Sequence, residues 1–158
     1  MSIRDTPYTK NALIRDAELA KKRLVTGNLN LAIVKQGATI FTSLESGIRG
    51  LIEAIESCRS SLRGAAAADR VIGKAAALLC VYAEFSSVYA CVISKPAAEV
   101  LKRSFIPFQY DELVQNILNT HETDICPFES LVLSIDSPEE ALLVLKRRLS
   151  GDVSRSAC

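Results

Sequence analysis

Tryptophan is absent from this chain and the aromatic residues together supply 6% of it, which leaves few side chains on which nucleic-acid bases could stack. Charge of one sign is missing too. Nineteen Lys plus Arg against eighteen Asp plus Glu give a formal net charge of +1, far from the field that phosphate-backbone binding exploits. No nucleic-acid partner is expected. The longest apolar run, residues 75–83, is about half of the ~20 residues that a bilayer span requires, so no membrane partner is expected either. The opening Met-Ser-Ile-Arg-Asp-Thr-Pro lacks the continuous apolar core of a signal peptide, and the expectation is a soluble cytoplasmic protein. The five cysteines, Cys58, Cys80, Cys91, Cys126 and Cys158, are odd in number and form no C-x-x-C pair. That argues against a disulfide framework and a standard structural zinc site. Cys80 and Cys91 lie in apolar runs and read as small buried hydrophobes. The sequence also has no internal repeat, low-complexity block or long charge run.

What is present suits one domain. A chain of 158 residues with 49% hydrophobic content can bury roughly 70% of its unfolded surface around a single core. The expectation is a domain over residues 1–150 and a polar, mobile tail over 151–158. Leu13, Ala17, Ala20 and Leu24 recur at helical spacing, Lys21, Lys22 and Arg23 suit the negative end of a helix dipole, and Gly27 stops it. The spacing predicts a helix over residues 9–26. Then the period shortens: Leu29, Leu31 and Ile33 alternate, Gln36-Gly37 is a turn signal, and Thr39-Ile40-Phe41-Thr42 resumes a β composition, which predicts a hairpin. Ile48, Leu51, Ile52 and Ile55 return to a period of 3.6 for a short helix, with a loop over residues 60–64.

Asp69-Arg70-Val71-Ile72-Gly73-Lys74 runs without a break into the small-apolar stretch 75–83. The pattern predicts a central helix over residues 68–84, buried on nearly every side, whose polar first turns present unpaired N–H groups and a positive dipole. Val88-Tyr89-Ala90-Cys91-Val92-Ile93 has no alternation, as an interior strand covered on both faces requires. Ser94-Lys95-Pro96 opens a helix through Arg103, residues 106–110 form a short edge strand marked by Pro107, and residues 111–118 are expected to be helical. Cys126-Pro127-Phe128-Glu129 and Ser137-Pro138-Glu139-Glu140 both read as helix starts, the second continuing through Ala141, Leu142, Leu145 and Leu149. The predicted fold is α/β, a three-layer α/β/α sandwich whose mixed sheet starts with a β-hairpin.

That element order, together with Ala68-Asp69-Arg70-Val71-Ile72-Gly73-Lys74-Ala75-Ala76-Ala77-Leu78-Leu79, then Val92-Ile93-Ser94, then Ile117-Leu118-Asn119 and Ile125-Cys126-Pro127-Phe128-Glu129, resembles a small uncharacterised bacterial and archaeal family with a cytidine-deaminase-like fold. The resemblance extends over residues 10 to 149. Thr120 stands where that family usually has Arg, and Gly50 where it often has Pro. The resemblance implies the fold and no activity. A zinc nucleobase deaminase needs a His or Cys and two further Cys as ligands, with a Glu to shuttle protons. The segment expected to carry H-x-E reads Ala68-Asp69-Arg70, and the one expected to carry P-C-x-x-C reads Pro96-Ala97-Ala98-Glu99-Val100. Methyl groups cannot replace thiolate ligands. No zinc, other metal or cofactor is expected, and the chain is not a zinc-dependent deaminase.

Gly73-Lys74 looks like the end of a phosphate loop, but Walker A needs Gly at position 68 and Ser or Thr at 75, and both are Ala. A structural account makes Asp69 an N-cap, puts Arg70 and Lys74 on a solvated stripe and uses Gly73 for close packing. The functional account has Lys74 and the first-turn N–H groups hold a phosphate or other anion of a nucleotide-like ligand, with Asp69 on a hydroxyl. Ser43 and Ser46-Gly47 supply further donors or else a cap and turn. Ser94, at the carboxyl end of the interior strand, sits where open sheets bind ligands or else caps the next helix. The segment from Asn119 to Glu129 forms the other half of the candidate site. In it Cys126 would be the catalytic nucleophile, with Glu129 or His121 as proton acceptor, or a plain helix cap. His121, Asp124 and Cys126 match no standard metal spacing. Three readings stay open: a deaminase-fold protein binding a small anionic molecule, a thiol enzyme using Cys126, and a structural module that forms a homo-oligomer through helix faces.

Overall fold

In the computed structural model, which describes residues 7–151, helix α1 (Pro7–Thr26) leads into strands β1 (Leu31–Lys35) and β2 (Ala38–Ser43). Lys35 pairs with Ala38, so Gln36 and Gly37 make a two-residue hairpin loop with both φ positive, at 52° and 78°. That twist is the one tight hairpins favour. The loop is fixed from α1: the Asp16 carboxylate accepts N–H bonds from Gln36 and Gly37, each 2.8 Å long. Asp16 is consequently buried, 4% exposed, a role that its position on an amphipathic helix did not reveal.

Helix α2 (Arg49–Leu62) continues through three of the residues expected to form a loop, and then the main correction appears. Residues 68–72 are not helical: β3 (Ala66–Ile72) runs first, Gly73 is the N-cap, and α3 (Lys74–Tyr82) follows. Alanine is the best helix former, yet Ala66 to Ala68 are each at most 3% exposed and sit between neighbouring strands. Tertiary pairing overrides propensity there, because Ala66 to Ala68 are paired on one side with β1 and on the other with β4. β4 (Ser87–Ser94) and α4 (Lys95–Arg103) are as expected. The expected helix over residues 111–118 is a second correction, since β5 (Phe108–Val114) keeps pairing with β4 to its end. β5 positions on both faces, such as Tyr110 and Leu113, stay exposed at the sheet edge, which blurs the period.

The sheet order is β2-β1-β3-β4-β5, with β1 antiparallel to both neighbours and β3, β4 and β5 parallel. One face is covered by α1, whose Ala20 and Leu24 pack on Ala32, Val34, Ala66, Ala68 and Tyr89. The other carries α2, α3 and α4, joined by α5 (Pro127–Leu131) and α6 (Pro138–Gly151), around the larger core of Leu31, Ile33, Leu51, Leu78, Leu79, Ile93, Leu101 and Leu145. This is an open mixed sheet between helical layers. The α6 start is as expected, with Ser137 Oγ accepting from Glu140 N at 3.3 Å. The tail expected over residues 151–158 falls outside the described residues from 152 onward. Among the described residues no helix is long and apolar enough to cross a membrane.

Candidate ligand cleft at the start of α3

The first N–H groups of α3 have no partner in their own helix, and a carboxylate from far along the chain supplies one. Lys74 N donates to Glu129 Oε2 at 2.8 Å and Ala75 N to Glu129 Oε1 at 3.1 Å. Gly73 makes the approach feasible, since a Cβ built there would lie 2.2 Å from Glu129 Oε1 and 2.5 Å from its Cδ. Gly73 has φ −96° and ψ −176°, a conformation open to any residue, so its requirement is for space alone. Charge-assisted N–H bonds of this kind contribute ~1.5–3 kcal/mol each. Burial works against them and pushes the Glu129 carboxyl above its ordinary value of 4.5, outweighing the Ala75 and Lys74 N–H groups and the Lys74 charge, which pull it down. Lys74 ties the same segment from the other side, its Nζ donating to Leu133 O at 3.0 Å and pairing with Asp136 Oδ1 at 3.3 Å. The Lys74 side chain is therefore buried rather than turned to bulk water.

Beside this contact lies a cleft of about 30 Å³ whose lining includes Gly47, Ile48, Val71, Gly73, Cys126 and Glu129. The starts of α2 and α3 thus meet the Cys126-Pro127-Phe128-Glu129 segment at this cleft. Gly47 turns the chain with φ 68° just ahead of α2. Cys126 is the N-cap of α5 without a side-chain capping bond, is 3% exposed and is disulfide-bonded, so a thiolate there first requires reduction.

Other candidates go elsewhere. Arg70 leaves the site altogether and closes the far end of α1, with Nε donating to Leu29 O at 2.8 Å and Nη2 to Leu24 O at 3.3 Å. It shares no stripe with Lys74, because one is on β3 and the other on α3. Asp69 is not a helix cap; it lies within β3, 7% exposed, and accepts Val71 N at 3.2 Å. Burial raises its carboxyl from 3.8 to about 7, against the opposing bonds from Val71 and Arg70 N–H, and its charge adds to the burial that pushes the Cys80 thiol up. Ser43 accepts Glu45 N at 3.0 Å beside the α2 start, and Ser94 caps α4 by accepting Ala97 N at 3.3 Å. Asn119 folds its own loop, its Oδ1 accepting Thr123 N at 3.0 Å, while His121 and Asp124 in that loop are exposed. Leu133 and Asp136 were missed: a backbone carbonyl carries no sequence signal, and a single aspartate before a helix reads as solvated surface.

Zinc does not fit. Among the described residues no group of three His, Cys, Asp or Glu side chains is placed to hold a metal ion, and Ala97 in the first turn of α4 offers a methyl group where a ligand is needed. A family model described as "TM1506: Domain of unknown function (DUF1893)" matches residues 19–149. Among solved structures, a crystal structure of a DUF1893 family protein (TM1506) from Thermotoga maritima is similar, at 32% identity and a TM-score of 0.78, covering 88% of this chain and 90% of that one. No functionally curated protein matches the chain.

Proposed function

Since the chain belongs to the DUF1893 family, a domain of unknown function that brings no activity with it, we propose from its geometry that it binds a small anionic, nucleotide-like molecule at the start of α3. The observation that carries this reading is the Glu129 carboxylate seated on Lys74 N and Ala75 N. Those two N–H groups donate to a planar anion delivered from outside α3, and the positive end of the helix favours it. Glu129 stands in for the anionic group of the ligand. A water needs ~10–15 Å³ of such space, so a cleft of about 30 Å³ admits about two waters and nothing larger while Glu129 stays. Entry is then an exchange, in which a ligand carboxylate or phosphate takes over the two N–H groups and the Glu129 side chain swings into solvent. The bonds lost and gained nearly cancel. Net affinity comes from the rest of the ligand, packed between Ile48, Val71 and Phe128, which line the cleft. The hairpin followed by alternating parallel strands and helices supports the deaminase-like descent implied by the resemblance, with binding kept and zinc chemistry gone.

A thermal-shift screen against nucleotides, dinucleotides and sugar phosphates tests the reading. A ligand at ~100 times its Kd stabilises by about 2.7 kcal/mol, so Tm rises saturably. The rise disappears in Val71→Trp, which fills the mouth of the cleft from a residue 41% exposed. A screen without a saturable rise, or one that Val71→Trp leaves unchanged, contradicts the proposal.

A further inference from the structure

At the opposite ends of α2 and α3 from the cleft lies a far larger groove, of about 920 Å³. α2 breaks to form its wall: Cys58 has φ −129° and ψ 20°, outside helical values, although neither Pro nor Gly occurs nearby. The Ser57 hydroxyl donates to Glu53 O at 2.7 Å, a back-bond of the kind that bends helices. Past the bend, the Arg59 guanidinium lies over the Tyr82 ring, 5.2 Å from its centre. Most other charges of the groove are already paired, Arg63 with Glu84 at 3.1 Å and Glu56 with Lys146 at 3.4 Å. Two remain without an ion-pair partner among the described residues: Arg59 on α2 and Glu139 in the first turn of α6, the latter accepting only the Ser137 hydroxyl at 3.1 Å. Between them the groove is lined by the Ser60 and Ser61 hydroxyls and by apolar Ile55, Leu62 and Ala83.

We propose that this groove is a second binding site, for a small zwitterion of the amino-acid or short-peptide type. Its carboxylate pairs with the Arg59 guanidinium, in the planar geometry that arginine offers, and its ammonium with Glu139. An apolar side chain lies along the partly exposed Tyr82 ring. A simple anion is disfavoured, because α2 and α3 both point their negative ends at this groove, and a simple cation meets Arg59. A molecule carrying both charges answers both. This site does not depend on the cleft at the α3 start.

Titration calorimetry with L-phenylalanine and glycyl-phenylalanine, each beside its N-acetylated and C-amidated form, tests the assignment. The expected result is saturable binding by the free zwitterions, weakened about tenfold or more when either end is blocked. Arg59→Gln removes the penalty for blocking the carboxylate and Glu139→Gln the penalty for blocking the ammonium; both residues are exposed, so each variant folds. Absence of binding, equal binding of blocked and free forms, or binding that Val71→Trp abolishes while Arg59→Gln leaves it intact overturns the proposal. The last outcome places the ligand in the α3 cleft instead, so this site and that one are judged separately.

Discussion

Two buried carboxyls on the same side of the sheet solve the same physical problem in different ways. Glu129 offsets part of its desolvation with two N–H bonds at a helix start and stays raised, whereas Asp69 has its own strand's backbone and is left with a carboxyl at about 7. For an acid raised on folding, the folded state binds the extra proton. The associated stability is therefore full below 3.8 and is lost as pH rises to about 7. The rise corresponds to roughly 4 kcal/mol, at ~1.4 kcal/mol per tenfold change in proton affinity. Asp69→Asn keeps an acceptor for Val71 N and removes the charge, so urea unfolding of the variant is expected to lose most of the stability slope between pH 4 and 7. At pH 8 it should unfold at higher urea than the parent chain; an unchanged slope would contradict the assignment. Gly73 makes a second residue-scale prediction. Gly73→Ala drives the new Cβ onto Glu129 and is expected to cost about 2 kcal/mol, within the range for leaving buried donors unpaired. In the Glu129→Ala background the same change costs little. That coupling in a double-mutant cycle is the readout, and additive effects would refute it.

At the scale of elements, α1 and α6 are each held at one end by a named contact. Arg70 reaches across from β3 to the Leu24 and Leu29 carbonyls past the end of α1. Arg70→Met keeps most of the stem and removes these charge-assisted bonds. It is expected to cost about 2 kcal/mol and to speed hydrogen exchange in the last turn of α1 while leaving α3 protected. Ser137→Ala removes the α6 cap and should cost about 1 kcal/mol in urea unfolding. α1, α4 and α6 were legible in the sequence because period, cap and stop residues agree. The hairpin was legible from Gln36-Gly37. β3 was not, because a run of four alanines carries the helical preference while its conformation is set by β1 and β4, strands that no local window contains. The same error placed Asp69 at a helix start, and it moved the N-cap from Gly73 by four residues.

For the molecule as a whole, the sheet separates two functions of polar residues. The α1 side spends its charges on structure: Asp16 on the hairpin, Arg70 on the helix end, and Tyr89, whose hydroxyl donates to Asp111. The opposite side gathers Gly47, Gly73, Cys126 and Glu129 at one cleft. The sequence singled out two segments some fifty residues apart, and in the fold Glu129 of the second bonds Lys74 N and Ala75 N of the first. The sequence did not show that one already fills the other, because an intramolecular carboxylate and a free ligand leave the same signature of glycine and helix start.

The most direct measurement of that central claim is the melting temperature of Glu129→Ala, titrated with sodium formate against sodium chloride at equal ionic strength. Formate is a carboxylate small enough to enter the vacated position on Lys74 N and Ala75 N. The account predicts a lowered Tm that formate restores saturably, with little effect of formate on the parent chain. A Tm that responds equally to formate and chloride, or equally in both proteins, would show that the start of α3 takes no anion but its own glutamate.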